Sequence, residues 1–251
     1  MRFHRLPVKD PRTVARDIPG ICDLLFPQLL PAIITYLNRH AKSVKNCESI
    51  PDSHVRKASI NAAMLFEVAY VRTEQILMGN SDENWDLYLK AALNRQERYF
   101  DAELPESFTE HDLGVARAAS NNLVFALDKF KEWSGFSVEL SPTIPGYQWI
   151  AEGQGDFSLG ATLIEVKCTS KNFGSADYRQ LLIYWLLSFA AAIEGKSKEW
   201  KSFILLNPRS NKYIELEFDE LISFSAAGRS KIEILELFNS IVSDQSNKVN
   251  I

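Results

Sequence analysis

The stretch GDFSLGATLIEVKCTS, residues 155–170, constrains this chain more than any other. It reads as a β-hairpin turned at Gly160. A turn centred on Gly160 and Ala161 sets Leu159 opposite Thr162, Ser158 opposite Leu163, Phe157 opposite Ile164 and Asp156 opposite Glu165. Directly opposed residues share a face, and residues two apart on a strand do too. Asp156, Glu165 and Lys167 therefore fall on one face. Phe157, Leu159, Ile164, Val166 and Cys168 fall on the other, a plausible core. Two facing carboxylates repel each other, so the register asks for a compensating charge. Mg²⁺ takes oxygen ligands and keeps several waters. Asp156, Glu165 and the Val166 carbonyl could supply part of its shell. Lys167 could orient an acidified water or offset charge on a phosphate, which suits hydrolysis of a phosphodiester. Read alone, Glu-x-Lys also fits a solvated strand face, and Asp156 a turn-initiating residue.

The rest of the chain changes character near residue 109. Before it, helices dominate. The apolar stretch 20–44 must break at Pro27 and Pro31. Residues 54–79 read as one amphipathic helix stopping at Gly79, and 81–100 as a helix capped by Ser81. Residues 103–112 read as a loop and 113–133 as a helix ending before Ser134-Gly135. Residues 135–153 are rich in β-branched and aromatic residues, with two-residue alternation. A helix over 175–195, capped by Ser175 or Asp177, follows the hairpin. Two strands about the turn NPRSN and a helix over 230–244 complete the pattern. The expected organisation is a helical N-terminal region, 1–108, and a domain over 109–251. That domain is expected to be α/β (α+β), with a mixed sheet of about four strands flanked by helices.

Composition narrows the function classes. The net charge of −4 argues against a protein that coats nucleic acid indiscriminately, yet residues 160–213 hold eight basic residues against four acidic ones. Three scattered cysteines make neither a disulfide framework nor a four-cysteine metal site. The longest apolar run, LLIYWLLSFAAAI, has 13 residues, where a spanning helix needs about 20, so it reads as a buried helix. The N-terminal segment has no apolar signal core. The expectation is a cytoplasmic protein with no membrane partner. The four histidines lack metal-ligand spacing, and HExxH, GxSxG, Walker and GxGxxG motifs are absent.

Strand, acid, short hairpin, apolar strand with acid-x-Lys, then helix: this order resembles the PD-(D/E)xK, or restriction-endonuclease-like, nuclease superfamily. The matching residues are "GD" at 155–156 and "EVK" at 165–167. The following helix carries Gln180 and Tyr184 within "QLLIY", as the Gln-x-x-x-Tyr motif of the RecB-like branch does. The resemblance spans about residues 113–216. It implies a Mg²⁺- or Mn²⁺-dependent deoxyribonuclease, with Asp156 and Glu165 binding metal and Lys167 assisting the attacking water. Gln180 and Tyr184 would position substrate phosphates or the lysine, and Lys171 and Arg179, which flank the site, would meet phosphates. The usual setting is defence against foreign DNA, or repair. Many family members carry a further acid on the helix before the first strand. Here Asn121 or Asn122 stands in its place, or Glu67 or Glu74 supplies it. The alternative function is a non-catalytic nucleic-acid-binding or assembly subunit that keeps the fold. The apolar N-terminal helices leave room for a protein partner, and a homo-oligomer is compatible with the sequence.

Overall fold

A computed structural model describes residues 10–80, 82–96 and 108–249. The N-terminal helices are α1 (Pro11–Asp17), α2 (Ile21–Leu25) and α3 (Pro31–Arg39). Pro31 occupies the first turn of α3, where its missing N–H breaks no helical bond, so the apolar stretch ends and restarts as expected. The expected helix over 54–79 is instead two, α4 (Asp52–Arg56) and α5 (Ala62–Leu77). The break has a physical cause. The Ser59 and Ile60 N–H groups turn to the Asp112 carboxylate, and Asn61 caps α5 by accepting the Met64 N–H at 2.9 Å. Helix α6 spans Trp85–Gln96, while the expected cap Ser81 lies outside the described residues.

Helix α7 (Glu110–Ser134) starts earlier than the sequence pattern suggests, because Thr109 and Asp112 form a reciprocal capping box. It ends at Gly135, whose φ of +73° closes the helix in the left-handed region. Next come β1 (Val138–Leu140), β2 (Thr143–Ile144), β3 (Gly153–Gln154), β4 (Phe157–Leu159) and β5 (Thr162–Val166). They are followed by α8 (Ser175–Ile193), β6 (Ser202–Asn207), β7 (Lys212–Glu217), α9 (Phe218–Ser225) and α10 (Lys231–Val249). The acidic stretch after β7 folds as α9 and does not extend the strand.

Five strands, one more than expected, form a mixed sheet ordered β1-β4-β5-β6-β7, and β2 and β3 pair separately. Among the described residues, only β5 and β6 run parallel, joined by the α8 crossover. Three of the four expected hairpin pairs form, Phe157 opposite Ile164, Ser158 opposite Leu163 and Leu159 opposite Thr162, while Asp156, expected opposite Glu165, lies at a bend before β4 and outside the ladder. Gly160 turns the hairpin with a φ of +59°. Helices cover both faces. Phe157, Leu159, Ile164 and Val166 pack with Leu123, Leu127 and Phe130 of α7. Leu163 and Phe203 pack on the other side with Leu182, Trp185 and Leu186 of α8, and the same cluster takes in Val14, Ile21 and Leu25 of the N-terminal helices. The face bearing Glu165 is thus a second buried face, because a parallel strand pair with its crossover helix is covered on both sides. Among the described residues, no helix is long and apolar enough to cross a membrane.

Candidate active site

The hairpin places the acids and α8 meets them. Asp156 sits at the bend before β4. Its carbonyl accepts the Ser141 N–H at 3.0 Å and the Tyr70 hydroxyl at 2.9 Å. Its Oδ2 accepts the Val166 N–H at 2.7 Å. Lys167, the next residue, instead donates its N–H to Leu206 of β6. Val166, at the end of β5, thus turns its N–H toward Asp156.

Glu165 is 5% exposed. Its Oε1 accepts from Lys167 Nζ at 2.9 Å and from Gln180 Nε2 at 2.7 Å. Gln180 also accepts from Lys167 Nζ at 2.9 Å and donates to the Tyr184 hydroxyl at 2.9 Å. One turn apart on α8, Gln180 and Tyr184 share a face and meet as that spacing requires. Asp177 Oδ1 lies 3.9 Å from Lys167 Nζ, while its Oδ2 caps α8 by accepting the Gly174 N–H at 2.7 Å. Glu165, Lys167, Gln180 and Tyr184 therefore form one hydrogen-bonded group, and Asp156 interacts with its Glu165 and Lys167 through charge.

The electrostatics of this group are unusual. Burial and the Glu165 carboxylate push the Asp156 carboxyl well above the usual range, against the pull of the Val166 N–H and of Lys167. Burial alone would lower Lys167, yet Glu165 and Asp156 hold it above its ordinary value, so it stays an ammonium. The Tyr184 phenol is pushed up by burial and by Glu165 and keeps its proton.

Glu165 Oε2 is buried and has no hydrogen-bond partner. A buried carboxylate oxygen with no donor is costly. Asp156, Glu165 Oε2 and the Val166 carbonyl are oxygen donors of the type a hard divalent cation takes. Among the described residues, no group of three or more His, Cys, Asp and Glu side chains gathers as a metal site. The protein's share of such a cation's shell is therefore small.

The remaining residues singled out from sequence have other partners. Asn121 accepts from Arg72, and Asn122 donates to the Glu48 and Pro208 carbonyls, so both serve the scaffold. Glu74 pairs with Arg95. Arg179 pairs with Asp23 of α2 at 2.6 Å, and Lys171 is exposed beyond β5. Helix α7 packs the apolar side of the hairpin, and α5 is the helix that reaches Asp156, through Tyr70. Sequence reasoning missed Tyr70. An aromatic residue in an apolar helix carries no local sign of a partner 86 residues away. Cys168 lines a small apolar pocket with Leu65 and Phe66, and burial pushes its thiol up to about 12. No family model matches the chain, and comparison with curated proteins gives no match.

Proposed function

We propose that this protein is a metal-dependent nuclease that hydrolyses phosphodiester bonds in DNA. The observation that carries the reading is Glu165 Oε2, buried and without a donor, next in sequence to Val166, whose N–H is held by the Asp156 carboxyl. Bound there, Mg²⁺ or Mn²⁺ would acidify water and offset charge on the phosphate. The protein's own groups have distinct roles. Asp156, as a carboxylate, would hold the cation. Glu165 would offer Oε2 while its Oε1 stays bonded to Gln180 and Lys167. Lys167, an ammonium with no lone pair, cannot take a proton; it offsets negative charge on the scissile phosphate. Gln180 and Tyr184 hold Lys167 and Glu165 in place. Such a nuclease would serve defence against foreign DNA, or repair, by analogy with proteins that share this hairpin.

Cleavage of duplex DNA, single-stranded DNA and RNA in Mg²⁺ and in Mn²⁺ tests the reading. Wild type should cut DNA, and Glu165→Gln and Lys167→Ala should be inert. Equal behaviour of wild type and Lys167→Ala would refute it. A second reading has its own support in the small number of acids at the site. It makes the protein a nucleic-acid-binding or assembly subunit without catalysis, and DNA binding without cleavage would favour it.

A further inference from the structure

We propose that the loop beside the site and the exposed face of α3 form a docking surface for single-stranded DNA, with Lys171 and Arg39 on phosphates and Tyr36 stacked on an unpaired base. The inference rests on the nuclease reading for its setting and deepens it by naming the form of the substrate. The loop leaves β5 directly after Lys167 and leads into α8. It is fixed at both ends. Asn207, at the end of β6, donates its Nδ2 to the Thr169 carbonyl at 2.7 Å. Asn38 of α3 grips Phe173 by both backbone groups, donating to its carbonyl at 2.8 Å and accepting its N–H at 3.1 Å. The Phe173 side chain is buried. Between these anchors Ser170, Lys171 and Asn172 are exposed, and the Lys171 N–H turns back to the Thr169 hydroxyl at 3.1 Å. The tip is therefore held by the fold although it faces solvent. Strands β5 and β6 run parallel, and the loop and Asn207 both lie at their carboxyl ends, where open α/β sheets bind ligands.

The Asn38 contact joins this tip to α3. At about 100° per residue round the helix, Arg39 lies one step from Asn38, and Tyr36 about 60° further on. Both are exposed, Tyr36 at 55%, while Ile34 and Leu37 on the other side of the helix are buried. The His40 ring lies 4.3 Å from the Tyr36 ring, centre to centre, and packs beside it. The charge here has one sign. Residues 24–47 contain Arg39, Lys42 and Lys45 and no Asp or Glu, and residues 168–176 contain Lys171 and no acid, in a chain of net charge −4. Lys42 is paired with Glu215, and Asp23, the first acid before this stretch, with Arg179. Among the described residues, neither the Lys171 ammonium nor the Arg39 guanidinium has a hydrogen-bond or ion-pair partner. Both can meet a phosphate without first breaking an ion pair. Tyr36 selects the form of the nucleic acid. The bases of a duplex stack on one another, whereas an unpaired base offers its face to an exposed ring.

The test is equilibrium binding of a labelled oligothymidylate, and of a short DNA duplex, to the full chain by fluorescence anisotropy, without divalent cation and over a range of salt. Each phosphate contact contributes about 0.7 to the salt slope on a single strand. Lys171→Gln and Arg39→Gln should each lower the slope by about that amount, and Lys171→Arg should keep the slope of wild type, because the charge remains. Tyr36→Ala should weaken single-strand binding about tenfold at an unchanged slope and leave duplex affinity near wild type. All these side chains are exposed, so the variants should melt with wild type. A slope equal to wild type in either glutamine variant, equal losses on single strand and duplex in Tyr36→Ala, or no single-strand binding by wild type would overturn the docking surface. The two claims fail separately. Metal-dependent cleavage with unchanged slopes sinks the docking surface alone. Binding that depends on Lys171 and Arg39, without metal-dependent cleavage, sinks the nuclease alone.

Discussion

Replacing Asp112 with asparagine should destabilise the protein by about 2–3 kcal/mol at neutral pH, and that loss should fade in acid. Asp112 is fully buried, and donors surround its carboxylate. Oδ1 accepts the Ser59 N–H at 2.8 Å and the Ile60 N–H at 3.3 Å. Oδ2 accepts the Ser59 hydroxyl at 2.5 Å, the Thr109 N–H at 2.9 Å and the Thr109 hydroxyl at 2.6 Å. One side chain thus holds the α4–α5 break and caps α7. Burial would raise its pKa, but the hydrogen bonds from Ser59, Thr109 and Ile60 bring it down from 3.8 to about 2. Each tenfold change in proton affinity is worth about 1.4 kcal/mol, so that displacement amounts to about 2.4 kcal/mol. Hydrogen bonds to a charged acceptor, and the loss of a cap, give a similar figure by a separate route. A carboxylate whose folded value is depressed contributes stability that is complete above its unfolded value. That stability is lost as pH falls through the folded one. Urea unfolding of wild type and Asp112→Asn should therefore show the full difference at pH 7 and a shrinking one between about pH 4 and pH 2. A difference under about 0.5 kcal/mol, the size of an ordinary surface substitution, would refute the reasoning. So would one that ignores pH.

Other expectations follow from the site and its scaffold. Asp156→Asn should abolish heat release on titration with Mn²⁺ yet leave the melting temperature of the metal-free protein near wild type, because the amide oxygen still accepts the Val166 N–H. Tyr70→Phe removes the hydroxyl that bonds the Asp156 carbonyl. It should cost about 1 kcal/mol in denaturant unfolding and weaken Mn²⁺ binding without abolishing it. Gly160→Ala forces a side chain onto a φ of +59°, with its Cβ 3.1 Å from the Phe136 ring. A loss of about 1–2 kcal/mol by thermal unfolding is expected. Cys168, its thiol pushed to about 12, should react with iodoacetamide at pH 8 far more slowly in the native protein than in urea, by mass spectrometry.

Local sequence determined much of this protein. Gly160, two apolar flanks and the period of two set the hairpin register, and with it the face shared by Glu165 and Lys167. The i, i+4 spacing put Gln180 and Tyr184 on one side of α8. Pro31 marked a helix start and Gly135 a helix end. These are short-range effects, governed by backbone sterics and strand or helix periodicity. Tertiary structure decided the rest. Asp112 broke a helical pattern that looks continuous from 54 to 79, because a carboxylate 53 residues away offered the Ser59 N–H a better partner than helix propagation did. The parallel pairing of β5 with β6 drew α8 over the charged face and buried Glu165, which alternation alone would leave at the surface. Helix α5, and not the adjacent α7, reached Asp156, because α7 spent its apolar stripe on the other side of the hairpin. A residue's neighbours across a packed interface are set by how whole elements stack, and no local pattern encodes that.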